Sequence, residues 1–123
     1  MAYEIPGFSF TLPAGADFTA SSQFRCVSIN AAGQAVAPTL GGLCVGIRYT
    51  KSRLNAAVTI VQSGIALVES GDATIVAGAL LSSTATGTVK VAATGEYVIG
   101  QALETSAATG IVIAVLLGTR AKF

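Results

Sequence analysis

From residue 23 onward the chain is cut by glycine, roughly every ten residues, into short runs rich in Val, Ile and Thr. That punctuation leaves little room for helices, because no stretch between breaks carries an apolar stripe at a 3.6-residue period with capping residues at its ends. Strict alternation of period two is visible instead, in Val89-Lys90-Val91 and in Tyr97, Ile99 and Gln101 set against Val98, Gly100 and Ala102. Strands are expected near 23–29, 34–37, 43–49, 57–62, 65–69, 74–81, 88–92, 96–103 and 110–117. Thr86-Gly87 and Thr94-Gly95 supply turns between them, since glycine accepts a positive φ without a steric penalty. The fold class is all-β: a compact, glycine-punctuated barrel or sandwich forming one domain over residues 17–123.

Two segments stand out from this rhythm. Residues 1–16 carry five large apolar side chains, Tyr3, Ile5, Phe8, Phe10 and Leu12, while Pro6 and Pro13 disfavour both helix and central strand. This is an extended N-terminal arm. So much apolar surface will not stay in water, so the arm either packs on its own domain or adds as a strand to a partner. At the other end, Ile111 to Leu117 is apolar without interruption, which implies cover on both faces. Ile111, Ile113, Val115 and Leu117 then form the core, and Val112, Ala114 and Leu116 on the alternate face meet a neighbouring subunit.

A displacement of 54 residues pairs Gly33 with Gly87, Gly41 with Gly95, Gly46 with Gly100 and Gly64 with Gly118. Ser28/Ser82, Ala31/Ala85, Ser52/Ser106, Val58/Val112 and Val61/Val115 fall in the same register, giving nine identities over residues 28–64. Two pseudo-repeated halves are the expectation. Gly46 and Gly100 become equivalent in-strand glycines, at bulges or close backbone approaches.

Composition narrows the function classes. Charged residues are 11% of the chain, against roughly 25% in an average soluble domain. A surface so poor in charge resists association weakly, so copies of the chain or a larger partner are expected to cover much of it. The net charge of +1 gives no basic face for nucleic acid, and no apolar run is long enough to suggest a membrane span. Met1-Ala-Tyr-Glu-Ile-Pro lacks the basic-then-apolar order of a secretory signal, which points to assembly in a cytoplasm.

There is no histidine, so Ser-His-Asp and Cys-His arrangements are excluded. Cys26 and Cys44 alone do not complete a zinc site and read as small hydrophobes in strands, with a disulfide left open. Glu69 and Asp72 flank Ser70-Gly71 as ordinary bend chemistry. Gly41-Gly42 lacks the lysine and helix of a phosphate loop. No enzyme activity, cofactor or metal is expected. Arg48, Lys51 and Arg53 are the one basic cluster, read as a solvated loop or as a contact to acidic loops of a partner.

Several segments carry a family likeness: Ala16-Asp17 after the arm, Gly33-Gln-Ala-Val, Gly41-Gly-Leu-Cys-Val-Gly46-Ile, Ala56-Ala-Val-Thr-Ile-Val and Gly64-Ile-Ala-Leu-Val. They are followed by Ala77-Gly78-Ala-Leu-Leu, Thr86-Gly87, Tyr97-Val-Ile-Gly100-Gln-Ala-Leu-Glu and Gly110-Ile-Val-Ile-Ala-Val-Leu-Leu. In this order they resemble the head decoration, or cement, proteins of tailed bacteriophages, over roughly residues 15–118. Asp17 departs from the family's Gly-Asp step because Ala16 intervenes, and the arm is more aromatic than the family pattern.

The resemblance implies a β-tulip-like virion protein on the outer surface of an expanded capsid, bound to the major capsid protein, commonly as a homotrimer, and stabilising the head against internal DNA pressure. Under that expectation Tyr3, Ile5, Phe8, Phe10 and Leu12 bind capsid, with Arg48, Lys51 and Arg53 beside them, and removing residues 1–14 leaves the fold intact. The alternatives are another virion subunit, such as a tail tube or head fibre, and an adhesin-like binding module.

Overall fold

The computed structural model describes residues 5–19 and 23–117. Among these, eleven strands and no helix occur. In chain order they are β1 (Ile5–Pro6), β2 (Ser9–Pro13), β3 (Arg25–Ile29), β4 (Ala35–Val36), β5 (Gly46–Arg48) and β6 (Ala57–Val61), then β7 (Gly64–Glu69), β8 (Leu80–Ser83), β9 (Val89–Val91), β10 (Gly100–Ala102) and β11 (Val112–Leu117). They form two antiparallel sheets, ordered β2-β6-β5-β3-β4 and β1-β7-β11-β10-β8-β9. The fold is all-β. Pro6 and Pro13 both lie in edge strands, where a missing amide donor need not break a ladder.

With β1 set aside, the two sheets are one pattern used twice. The strands β2, β6, β5, β3 and β4 correspond in order to β7, β11, β10, β8 and β9. Their registers correspond as well. Leu12 lies opposite Val58 as Val68 lies opposite Ile113, Ile47 opposite Val61 as Gln101 opposite Leu116, and Val27 opposite Gly46 as Leu81 opposite Gly100. In both halves a parallel bridge, Ala14 with Ala35 and Ser70 with Val89, ties the first strand to the last. Each half is thus a small curled barrel. Turn chemistry repeats too: the amide of Gly33 donates to Asn30 at 3.0 Å and that of Gly87 to Thr84 at 3.1 Å, with φ of 79° and 91°. Asn55, at φ 66°, occupies the place that Gly110 fills at 79°, donating to Ala14 as Gly110 donates to Ser70.

The displacement is 54 residues only over β3, β4 and β5. The loop after β10 holds one residue more than its counterpart, so β6 maps onto β11 by 55, and β2 onto β7 by 56. The true partners of Val58 and Val61 are therefore Ile113 and Leu116. The identities Val58/Val112 and Val61/Val115 arise because the second half's strand is itself a run of similar residues. Gly118 lies outside the described residues.

The halves stack rather than share one core symmetrically. Inside the first barrel, Ala14, Phe18, Val27, Ala35, Val58 and Ile60 are buried together, with Phe10, Leu12 and Val45 packed against them. The second barrel's interior, which includes Ala66, Val68, Ile75, Leu81, Val89, Ile113 and Val115, is joined by Cys26, Cys44, Ile47 and Val61 from the first half. By strand alternation Cys26, Ile47 and Val61 lie on the opposite face of their sheet from Val27, Arg48 and Ile60. The outer face of the first barrel is thus the cover on the second. Burial of these side chains is the main cohesive force between halves, and the Arg25–Glu69 ion pair at 3.1 Å adds a polar link between them.

Several elements differ from expectation. The strand expected over 74–81 begins only at Leu80, because Ala77-Gly78 makes a turn, with Gly78 at φ 91°. Cys44 precedes β5 instead of lying in it. Both cysteines are nonetheless core residues, and the Cys26 thiol is pushed well up by its hydrogen bond with Cys44 and by burial. Thiolate, the reactive form, is therefore suppressed. A disulfide-exchange reagent at neutral pH is expected to titrate neither thiol in the native protein and both after unfolding in guanidinium. Rapid labelling of the native state would show that the contact between the halves opens readily.

Candidate interaction surfaces

The arm is split between the two sheets. β1 pairs with β7 at the edge of the second barrel, Ile5 opposite Ile65, and β2 pairs with β6 along its whole length. The chain crosses between them at Gly7 and Phe8, whose amides donate to the carbonyl and hydroxyl of Ser63 at 2.9 Å each. Phe8 is exposed and stacks on Phe10, with ring centroids 6.1 Å apart. Phe10 and Leu12 face Ile60 and Val58 and pack on the first barrel's core. From residue 5 onward the arm therefore packs on its own domain. Tyr3 lies outside the described residues. Residues 1–14 are not separable from the fold: their loss removes β1, β2 and the bridge at Ala14, which corrects the expectation that truncation leaves the domain intact.

The three basic residues do not form one patch. Arg48 is buried, its guanidinium 4.2 Å from the centre of the Phe18 ring, while Lys51 and Arg53 are exposed in the loop between β5 and β6. Burial lowers the Arg48 pKa to about 10, with the neighbouring charge of Arg25 acting the same way. Arg48, expected at a partner-facing basic cluster, is therefore not available to a partner. In a strand exposed on one side, Ile47 would turn inward and Arg48 outward; here both faces of β5 are covered, so both side chains are buried.

On β11, Ile113, Val115 and Leu117 are core residues as expected, but Ile111, which precedes the strand, is exposed and stands outside the core, and the alternate face divides. Ala114 is fully buried within its own chain and is not available to a neighbour, Val112 is half-buried, and Leu116 is 44% exposed. Cross-strand register extends Leu116 into a row that sequence reasoning missed: Leu80 lies opposite Gln101, Gln101 opposite Leu116, and Leu116 opposite Ile65. The signal was present, since a displacement of 54 places Leu80 at the position of buried Cys26. A strand expected over 74–81 puts Leu80 near its end, whereas β8 begins there.

The carboxylates of Glu69, Asp72 and Glu96 hold the fold together. Glu69 pairs with Arg25, and Asp72 accepts from the Val91 amide at 2.9 Å. Glu96 accepts from Lys90 at 2.5 Å, Ser82 at 2.9 Å and the Ala93 amide at 2.7 Å, and these donors, Lys90 foremost, hold its carboxyl below the usual range. What the surface offers is apolar area. No protein-family model matches the chain, and no curated protein matches its sequence.

Proposed function

We propose that this chain is a structural virion subunit that decorates the outside of an expanded tailed-phage head, bound to the major capsid protein as a homotrimer and stabilising the shell against internal DNA pressure. The observation that carries the reading is the apolar outer face of the second barrel, where Leu80 and Leu116 stand exposed in a chain with few charges. The resemblance in the order of its glycine and strand segments supports the same class. A cement protein requires shared apolar area and no catalytic group. Identical sites on a rigid lattice let modest contacts of one oligomer act together. Phe8, exposed at the crossing between sheets, with Lys51 and Arg53, are the residues assigned to capsid contact.

The test is titration of purified protein onto undecorated, expanded heads. Saturation at a lattice-defined number of copies, with heads that burst at a higher temperature, is the expected result. Lys51→Ala/Arg53→Ala should weaken binding and flatten its salt dependence. Failure of a well-folded, monodisperse protein to bind such heads would overturn the reading.

A further inference from the structure

We propose that copies of this chain associate head to tail, the outer face of the second barrel of one copy covering the first barrel of the next. The contact repeats between molecules the packing that already joins the two barrels within one. Because the halves share strand order and register, each face of one has a defined counterpart on the other. On the first barrel's outer face Cys26, Ile47 and Val61 are each only 2% exposed, since they cover the second barrel. Their counterparts on the second barrel are Leu80, Gln101 and Leu116, and there Leu80 is 40% and Leu116 44% exposed.

The complementary surface is open in the same sense. Ala66, Val68 and Ser83 of the second barrel are fully buried beneath the first half. Ser83 is capped by that half's loop, accepting from the Gly41 amide and donating to the Thr39 carbonyl. The counterparts on the first barrel are Phe10, Leu12 and Ile29. Phe10 and Leu12 are only partly buried, and Ile29 is 44% exposed.

One chain therefore carries one complete contact of this kind and the two unfilled halves of another. The surface that fits each is presented by a second copy. Within the chain, β7 lies against β3 and β5; between copies, β2 would lie against β8 and β10. Gln101 in place of Ile47 fits a face that meets water before association. A contact of this type is heterologous and either closes into a ring or runs on as a fibre.

The inference does not depend on the capsid and is tested without heads. Leu116→Glu blocks the outer face, and Ile29→Glu blocks the receiving one. Light scattering after size exclusion should find the wild type oligomeric, each variant monomeric, and an equimolar mixture of the two as a one-to-one dimer, because each supplies the face the other lacks. Near-UV circular dichroism checks folding, and Leu80→Glu, on the same face, replaces Leu116→Glu if that variant misfolds. A monomeric wild type, variants that remain oligomeric, or a mixture of folded variants that stays monomeric would each overturn the proposal. Loss of head binding with this pattern intact would count against the capsid reading alone.

Discussion

Replacing Gly46 or Gly100 by alanine is expected to destabilise the protein by about 2–4 kcal/mol each. Neither glycine has a positive φ, so conformational freedom is not the reason. A Cβ at Gly46 would run into the carbonyl oxygen of Val61, and one at Gly100 into that of Leu116. Both obstacles are backbone atoms of strands paired on either side, β6 between β2 and β5 and β11 between β7 and β10. Neither can retreat without stretching ladder hydrogen bonds, unlike the tip of a flexible side chain. Gly33→Ala is the control. Gly33 has φ 79° and nothing within 4 Å of an added Cβ, so only left-handed backbone strain of about 1 kcal/mol is added. Urea midpoints at constant m-value separate the two cases. A Gly100→Ala protein no less stable than Gly33→Ala would show that the strands yield easily and that the in-strand glycines do not set the repeat.

Phe18→Ala is expected to be at least as damaging, at about 3–5 kcal/mol. Phe18 fills the first barrel among Ala14, Val27 and Ile60 and supplies the ring over which Arg48 lies. Its removal leaves a cavity and also strips a buried cation of its aromatic partner. Arg48→Met, by contrast, keeps the volume and deletes the charge, and a change within about 1 kcal/mol of either sign is expected, because desolvation of a buried ion offsets what its contacts contribute. The coupling of the pair, read from a cycle with Phe18→Leu, should be about 0.5–2 kcal/mol.

The pH dependence has a definite sign. With the folded pKa lowered by burial from the ordinary arginine range to about 10, both states keep the proton at neutral pH and the burial penalty is fully present. As pH rises above about 10 the folded state releases the proton first, so the wild type should gain stability relative to Arg48→Met. A cycle with no coupling and no relative gain in alkali would mean that the guanidinium is effectively solvated.

Much of this architecture is legible in the chain because it depends on local chemistry. Gly33, Gly87 and Gly95 sit at turns requiring positive φ, and the Val89-Lys90-Val91 run forms a strand, β9. The doubled pattern follows from the spacing of those turns. Gly46 and Gly100 could be singled out as equivalent because a glycine inside a strand has few reasons to be there other than a close approach. Local chemistry also put Pro6 and Pro13 in extended chain.

The tertiary structure decided which face of each strand is covered, and by what. Period-two alternation marks two faces without saying that both are buried, so Arg48 looked solvated and Ala114 looked available. In the fold, one barrel stacked on another covers β5 on both sides and leaves the outer face of β11 half open. The same stacking explains why equivalent positions have unlike fates, Val61 buried and Leu116 exposed. A repeat in sequence specifies two copies of a barrel, but their order along the stack determines which copy ends with its outer face in water.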